Sequence, residues 1–199
     1  MSPDGLRTVV LATANPDKAA ELRRLLAGVQ GLRLAPRPPD VPEVPEEEET
    51  LVGNARAKAS ALAVATGLAA LADDTGLFVD ALGGAPGVRA ARFAGPGATY
   101  ADNVARLLSE LGDTENRAAS FRTVALVRWP DGRERFVEGV LAGRILRSPR
   151  GASGFGYDPV FTASSGDGRS LAELAPGEKD ACSHRAAAAA GLARLLVLG

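Results

Sequence analysis

Two strand-like runs, residues 119–129 and 133–146, are separated only by Pro130-Asp131-Gly132. A connection that short, made of turn residues, is a hairpin signal, and a hairpin demands antiparallel pairing. The N-terminal region asks for a different arrangement. Residues 8–12 (TVVLA) are a β-branched apolar run, the pattern of a buried strand, and Thr13-Ala14-Asn15-Pro16 breaks it. Asn15 suits an N-cap and Pro16 the first helical position, with Leu22, Leu25, Leu26 and Val29 following at helical spacing. Strand, tight turn and helix, in one chain with a hairpin, mean an α/β fold with a mixed sheet.

The other segments fit that class. Residues 36–49 hold five prolines and end in the run Glu46 to Glu49, which reads as an exposed loop. Residues 50–66 read as an alanine-rich helix stopped at Gly67, and residues 68–72 as a strand that runs out at Asp73-Asp74. Glycine-proline clusters at 83–87 and 95–97 punctuate a long loop carrying Arg89 and Arg92, before a third helix over 99–111. A second glycine-rich loop at 151–158 and a closing helix over 186–198 complete the reading.

Composition narrows the partners. A chain of 199 residues with 46% hydrophobic content suits a single domain, 1–199, with two small lobes as a variant of it. The net charge of −1 offers no global basic field, so no nucleic-acid partner is expected. The single Cys182 excludes an internal disulfide framework and fits a reducing compartment. The N-terminus lacks the charged-then-apolar design of a signal peptide, and no apolar run reaches membrane-spanning length. The expectation is a cytoplasmic chain with no membrane partner.

Four constellations carry possible chemistry. The first is Asp73-Asp74-Thr75-Gly76 after the apolar Leu68 to Ala72. Successive strand residues point to opposite sides, so one carboxylate enters any given pocket. Two acids, a hydroxyl and a glycine suit a divalent cation, an activated water and a close phosphate. The same residue types also make an ordinary turn. The second is Thr13 to Lys18, where a strand turning directly into a helix exposes backbone N–H groups and a dipole that favours an anion. Lys18 adds a full charge there, although the Walker A spacing is absent and a capped helix with a solvated lysine reads equally well.

The third is the run Ser153 to Pro159. Pro159 stands where a dinucleotide-binding fingerprint needs its third glycine, so that reading is disfavoured. Its glycines let the backbone approach a ligand and Phe155 could stack on a base, or its aromatics could anchor the loop in the core. The fourth is Lys179 with Ser183-His184-Arg185, where Ser183 as an N-cap puts His184 and Arg185 at a positive helix start. The lack of a Gly-x-Ser-x-Gly elbow argues against a serine nucleophile, and the lack of His-Glu-x-x-His against zinc.

Five segments in order, TANPDK (13–18), ETLVGNARAKA (49–59), ADDTGLFVDALGGAPGVRAARFAG (72–95), GFGYDPVF (154–161) and LAELAPGEKDACSHRAAA (171–188), span almost the whole chain. Together they resemble the Ham1/ITPase-like nucleoside triphosphate pyrophosphatases. The resemblance implies hydrolysis of dITP, ITP and XTP to the nucleoside monophosphate and pyrophosphate, a nucleotide-pool sanitation role, a need for Mg²⁺, and a homodimer. It implies an elongated two-lobed α/β fold, with a mixed β-sheet flanked by helices and a central nucleotide-binding cleft.

Carried over by motif, Asp74 matches the general base and metal-associated carboxylate. Thr13, Ala14, Asn15, Pro16, Asp17 and Lys18 match the triphosphate-binding turn, and Thr75 a substrate contact. Phe155, Gly156, Tyr157, Asp158, Lys179, His184 and Arg185 match nucleotide-binding positions, with Phe155 stacking on the purine and His184 and Arg185 reading its 6-oxo edge. Glu46 is assigned as the loop glutamate that assists the metal, eight residues before Asn54, in a glutamate run that lets the alignment slide. The chain departs from the family pattern at Ala14 and Gly53, where Gly and Glu are common, and at Thr75, usually Ser. The rival expectations are a Maf-type pyrophosphatase and a nucleotide-sensing module without turnover, which substrate profiling separates.

Overall fold

The computed structural model describes residues 7–198, with side chains through Leu196; residues 1–6 and 199 of the expected 1–199 domain lie outside the described residues. Strand β1 (Arg7–Leu11) runs into helix α1 (Pro16–Leu26), with Asn15 as N-cap and Pro16 in the first turn. Leu22 and Leu26 are sealed beneath α1, each burial contributing about 2 kcal/mol. A strand that the sequence reading passed over, β2 (Leu32–Ala35), then pairs parallel with β1 in the register Arg7↔Leu32. Four residues between a helix end and a proline-rich loop carry too little periodicity to announce themselves.

Helix α2 (Leu51–Thr66) is capped by the Thr50 hydroxyl, which accepts from the Gly53 N–H, and closes at Gly67 in the left-handed region at φ 66°. Strand β3 (Ala69–Val79) pairs parallel with β1. It corrects the sequence reading, because the strand does not run out at the acidic pair but continues to Val79. The two-residue strand β4 (Pro86–Gly87) pairs with its far half at Leu77↔Gly87. Gly76 permits that approach, since a Cβ there would stand 2.7 Å from the Gly87 carbonyl oxygen.

Helix α3 (Tyr100–Leu111) begins with a capping box of Thr99 and Asp102. Strands β5 (Ala118–Arg128) and β6 (Glu134–Ile145) are the expected hairpin, its turn closed by the Trp129 N–H donating to the Arg133 carbonyl at 2.9 Å. Strand β7 (Phe161–Ala163) pairs antiparallel with β6. A short helix absent from the sequence reading, α4 (Pro176–Cys182), precedes α5 (His184–Leu198). The seven strands form one mixed sheet in the order β2-β1-β3-β5-β6-β7, with β4 on β3. Among the described residues no helix is long and apolar enough to cross a membrane.

The chain divides into two compact units. The first comprises residues 1–74, 123–139 and 185–199, and its core joins Val9, Leu11, Leu22, Leu26, Leu71, Val127 and Leu192. The second comprises residues 75–122 and 140–184, with Leu77, Leu107, Phe121, Ile145, Tyr157 and Phe161 at its centre.

Candidate active site

In the first unit, the alternation of β3 sends its two neighbouring carboxylates to separate partners. Asp74, 2% exposed, meets two side chains of α2. Lys58 Nζ donates to its Oδ1 at 2.7 Å, and Asn54 Nδ2 donates to its Oδ2 at 3.2 Å. Asn54 and Lys58 are four residues apart, so both lie on the same helix face. Lys58 also donates to Glu46 Oε1 at 2.6 Å, so one ammonium draws the expected loop glutamate and the expected base together. Burial, seconded by Glu46, pushes the Asp74 carboxyl above the usual aspartate range against the pull of Lys58 and Lys18. Burial works to discharge Lys58, but the attraction of Asp74 and Glu46 outweighs it and raises its pKa.

Asp73 serves another cluster. Its Oδ2 accepts from Arg185 Nε at 3.1 Å and lies 3.6 Å from Lys18 Nζ. Arg185 in turn donates to Glu21, a buried glutamate of α1. Burial opposes the Asp73 charge, yet Lys18, Arg185 and Lys58 together hold its carboxyl well below the usual range. Arg185, expected at the 6-oxo edge of a base, is 2% exposed and tied to this acidic pair. Its planar fork matches two carboxylates and keeps it charged in the interior.

The turn at 13–18 is held by its own side chains. The Asn15 side chain accepts from the N–H groups of Asp17 and Lys18, and the Asn15 N–H donates to Thr13 Oγ1. The N–H groups of 15, 17 and 18 are thus bonded within the turn, the first by the Thr13 hydroxyl and the other two by the N-cap amide side chain. The Lys18 ammonium and the helix start remain as its positive features. Ala14, Pro16 and Asp17 are surface or half-exposed members of the same turn.

In the second unit, Thr75 follows Asp74 and is half-buried. Lys179 Nζ donates to the buried Asp158 Oδ2 at 2.5 Å and stands 4.8 Å from the centre of the Phe155 ring. Asp158 Oδ2 also accepts from the Phe155 N–H, and a Cβ on Gly154, at φ 74°, would overlap it. Tyr100 lies against Phe155 with ring centres 5.9 Å apart. Gly156 is at φ 64° with open space where a side chain would be. Tyr157, expected to contact nucleotide, is 4% exposed, and its hydroxyl donates to the Ala90 carbonyl at 2.8 Å. His184 is buried with its ring stacked on Phe121 at 4.6 Å.

Sequence reasoning missed Glu21, Asn54 and Lys58 as members of these clusters. The available signal was the pair of polar side chains, four apart, in the otherwise alanine-rich start of α2. The arrangement combines a base-like buried carboxylate, a second carboxylate sharing its cation, and a lysine at a helix start.

A family model described as the Ham1 family matches residues 9–195. A dITP/XTP pyrophosphatase of Symbiobacterium thermophilum is 46% identical over 186 residues, 92% of each chain. One from Mycolicibacterium paratuberculosis is 48% identical over 183 residues, 89% of each. Among solved structures, a HAM1 protein from Coxiella burnetii superposes with a TM-score of 0.88 at 40% identity, covering 98% of this chain and 100% of that one.

Proposed function

Because the chain belongs to the Ham1 family, we propose that it is a nucleoside triphosphate pyrophosphatase, hydrolysing dITP, ITP and XTP to the nucleoside monophosphate and pyrophosphate. The observation that carries the chemistry is the placement of Asp74, a buried carboxylate with a raised pKa, held at both oxygens by α2. A raised pKa makes a stronger base at neutral pH, and each carboxylate oxygen keeps a lone pair for an incoming water proton.

Asp74 takes a proton from water as its oxygen bonds to the α-phosphorus. The bond from that phosphorus to the bridging oxygen breaks, and pyrophosphate leaves with the electron pair. Lys18 at the start of α1 holds the departing phosphates, together with the Thr13 to Asp17 turn, and stabilises the charge that grows on them. Thr75 contacts the substrate beside the base.

The residues fit a divalent cation, Mg²⁺ in this proposal. Asp74 and Glu46 already converge on one cation, the Lys58 ammonium. Asp74 and Glu46 would hold the metal together with water and phosphate oxygens, since Mg²⁺ usually takes only one or two carboxylates from the protein. When bound, it neutralises phosphate charge that would repel the nucleophile.

The nucleobase is assigned to the second unit. Phe155, steadied by Lys179, offers a stacking face, Gly156 an open backbone, and Asp158 holds the loop. His184, anchored on Phe121, is assigned to the 6-oxo edge. The family match runs through both units, which supports one functional domain over 1–199. A homodimer belongs to the same reading; exposed Phe136 and Val64 give it apolar surface to bury, and sedimentation tests it. Free nucleotides and a lone cysteine both suit the cytoplasm.

Phosphorus NMR of the products from dITP, with dGTP, dATP and dTTP in parallel, tests the function. Pyrophosphate with dIMP, and little from the others, is expected. Orthophosphate would place attack at the terminal phosphate and overturn the reading.

A further inference from the structure

Asn54 is fully buried, yet it bonds outward at both ends of its carboxamide. Its Oδ1 accepts from the Glu48 N–H at 3.0 Å, and its Nδ2 donates to Asp74 Oδ2 at 3.2 Å. A backbone N–H can only donate, so the oxygen must face Glu48 and the amide nitrogen must face Asp74. No other side chain class of this size offers an acceptor to the loop and a donor to the carboxylate. An aspartate would set a third negative charge beside Asp74, and a leucine would leave both partners unpaired.

The residue before it has a matching peculiarity. Gly53 sits in the first turn of α2, where glycine costs about 1 kcal/mol relative to alanine. A Cβ at this position would stand 2.8 Å from Glu48 Cβ and 3.0 Å from Thr50 Oγ1. A side chain at 53 would press on Glu48, whose N–H bonds to Asn54, and force that segment to shift. Two residues before Glu48, Glu46 reaches Lys58, four residues beyond Asn54 on α2. The loop and β3 are thus fastened to one helix face at two successive turns.

We propose that Asn54 is a positioning residue of the pyrophosphatase site: its carboxamide locks the Glu46 loop to Asp74, and Gly53 supplies the room in which that loop is seated. The inference rests on the functional reading above. It also assigns a purpose to Gly53: the position supplies no ligand but lets the loop that carries Glu46 come in close. With Lys58 on Oδ1 and Asn54 on Oδ2, the plane of the Asp74 carboxylate is set before substrate arrives.

The test compares the wild-type protein with Asn54→Ala, Gly53→Ala, Glu46→Gln and the Asn54→Ala/Glu46→Gln double variant, with thermal melts to establish folding. Two readouts are taken: hydrogen exchange of the residue 48 amide, and steady-state hydrolysis of dITP. In Asn54→Ala, exchange at residue 48 accelerates, and kcat falls about 100-fold, the scale of a misplaced catalytic group, with KM nearly unchanged. Gly53→Ala moves both readouts the same way by less. The kcat losses of Asn54→Ala and Glu46→Gln combine to less than their product, because both act through one placement.

Unchanged exchange at residue 48, a wild-type kcat in Asn54→Ala, or fully multiplicative losses would each overturn the proposal. If Asn54→Ala does not fold, Gly53→Ala carries the same two comparisons. A wild-type protein that releases no pyrophosphate fails the functional reading and the catalytic part of the inference together. Exchange at residue 48 is read without substrate, so it separates that failure from a loop that was never held.

Discussion

The ammonium of Lys58 stands 2.7 Å from Oδ1 of Asp74, on a side chain that is 11% exposed against one that is 3% exposed. The contact joins the middle of α2 to the middle of β3 and holds a charged pair in a place water barely reaches. Such a pair stabilises little in net terms, but loss of one member strands the other. Lys58→Ala is expected to destabilise the fold by about 3 kcal/mol, read as a shift in urea midpoint. The variant also gains a pH signature. With Lys58 gone, burial and Glu46 raise Asp74 further, so its protonated form favours the folded state. That contribution is present below the ordinary aspartate pKa and is lost as pH rises through the folded value, so the deficit relative to wild type shrinks in acid.

Asp74→Asn removes the proposed base while keeping the shape and the acceptor oxygen. Turnover of dITP should fall about 10²–10⁴-fold, with nucleotide affinity by calorimetry little changed. In the metal-free wild type, the Asp74 carboxyl is expected to titrate above the ordinary aspartate range of about 4, because burial raises it, and carboxyl-carbon NMR without added metal checks this.

Asp73 behaves in the opposite sense. Its carboxyl is held low in the folded chain by Lys18 and Arg185 against the cost of burial. A depressed pKa stabilises the fold above the unfolded value and loses that contribution as pH falls through the folded one. Stability should therefore decline from about pH 5 downward, and Asp73→Asn should flatten that slope while lowering stability at neutral pH. Urea titrations at stepped pH decide it.

Phe155→Ala deletes the proposed stacking face. Base–aromatic stacking contributes about 1–3 kcal/mol, so KM for dITP should rise about tenfold or more, and Phe155→Trp should restore it. A KM unchanged in Phe155→Ala would remove the base from this loop.

Tyr157→Phe separates a core anchor from a nucleotide contact. Loss of the hydroxyl bond to the Ala90 carbonyl should cost about 1 kcal/mol of stability and leave dITP kinetics unaltered. A change in KM without a change in stability would return Tyr157 to the ligand.

Local patterns in the chain determined much of this protein. Asn15-Pro16, Thr50 with Gly67, Thr99 with Asp102, and Pro130-Asp131-Gly132 set the ends of α1, α2 and α3 and the β5–β6 hairpin, because caps and turns are contacts between residues a few positions apart. The α/β class and the division of Asp73 from Asp74 follow from the same short-range geometry. Tertiary structure decided what those residues touch. Arg185 meets Asp73 from 112 residues away, Tyr157 reaches Ala90 across 67, and Asn54 reaches Asp74 across 20. Strand β3 runs on past its acidic pair with β5 and β4 as its sheet neighbours, and no local pattern encodes their arrival. A side chain's type limits its chemistry, but its partner is chosen only when distant segments pack and burial makes each unpaired polar group costly.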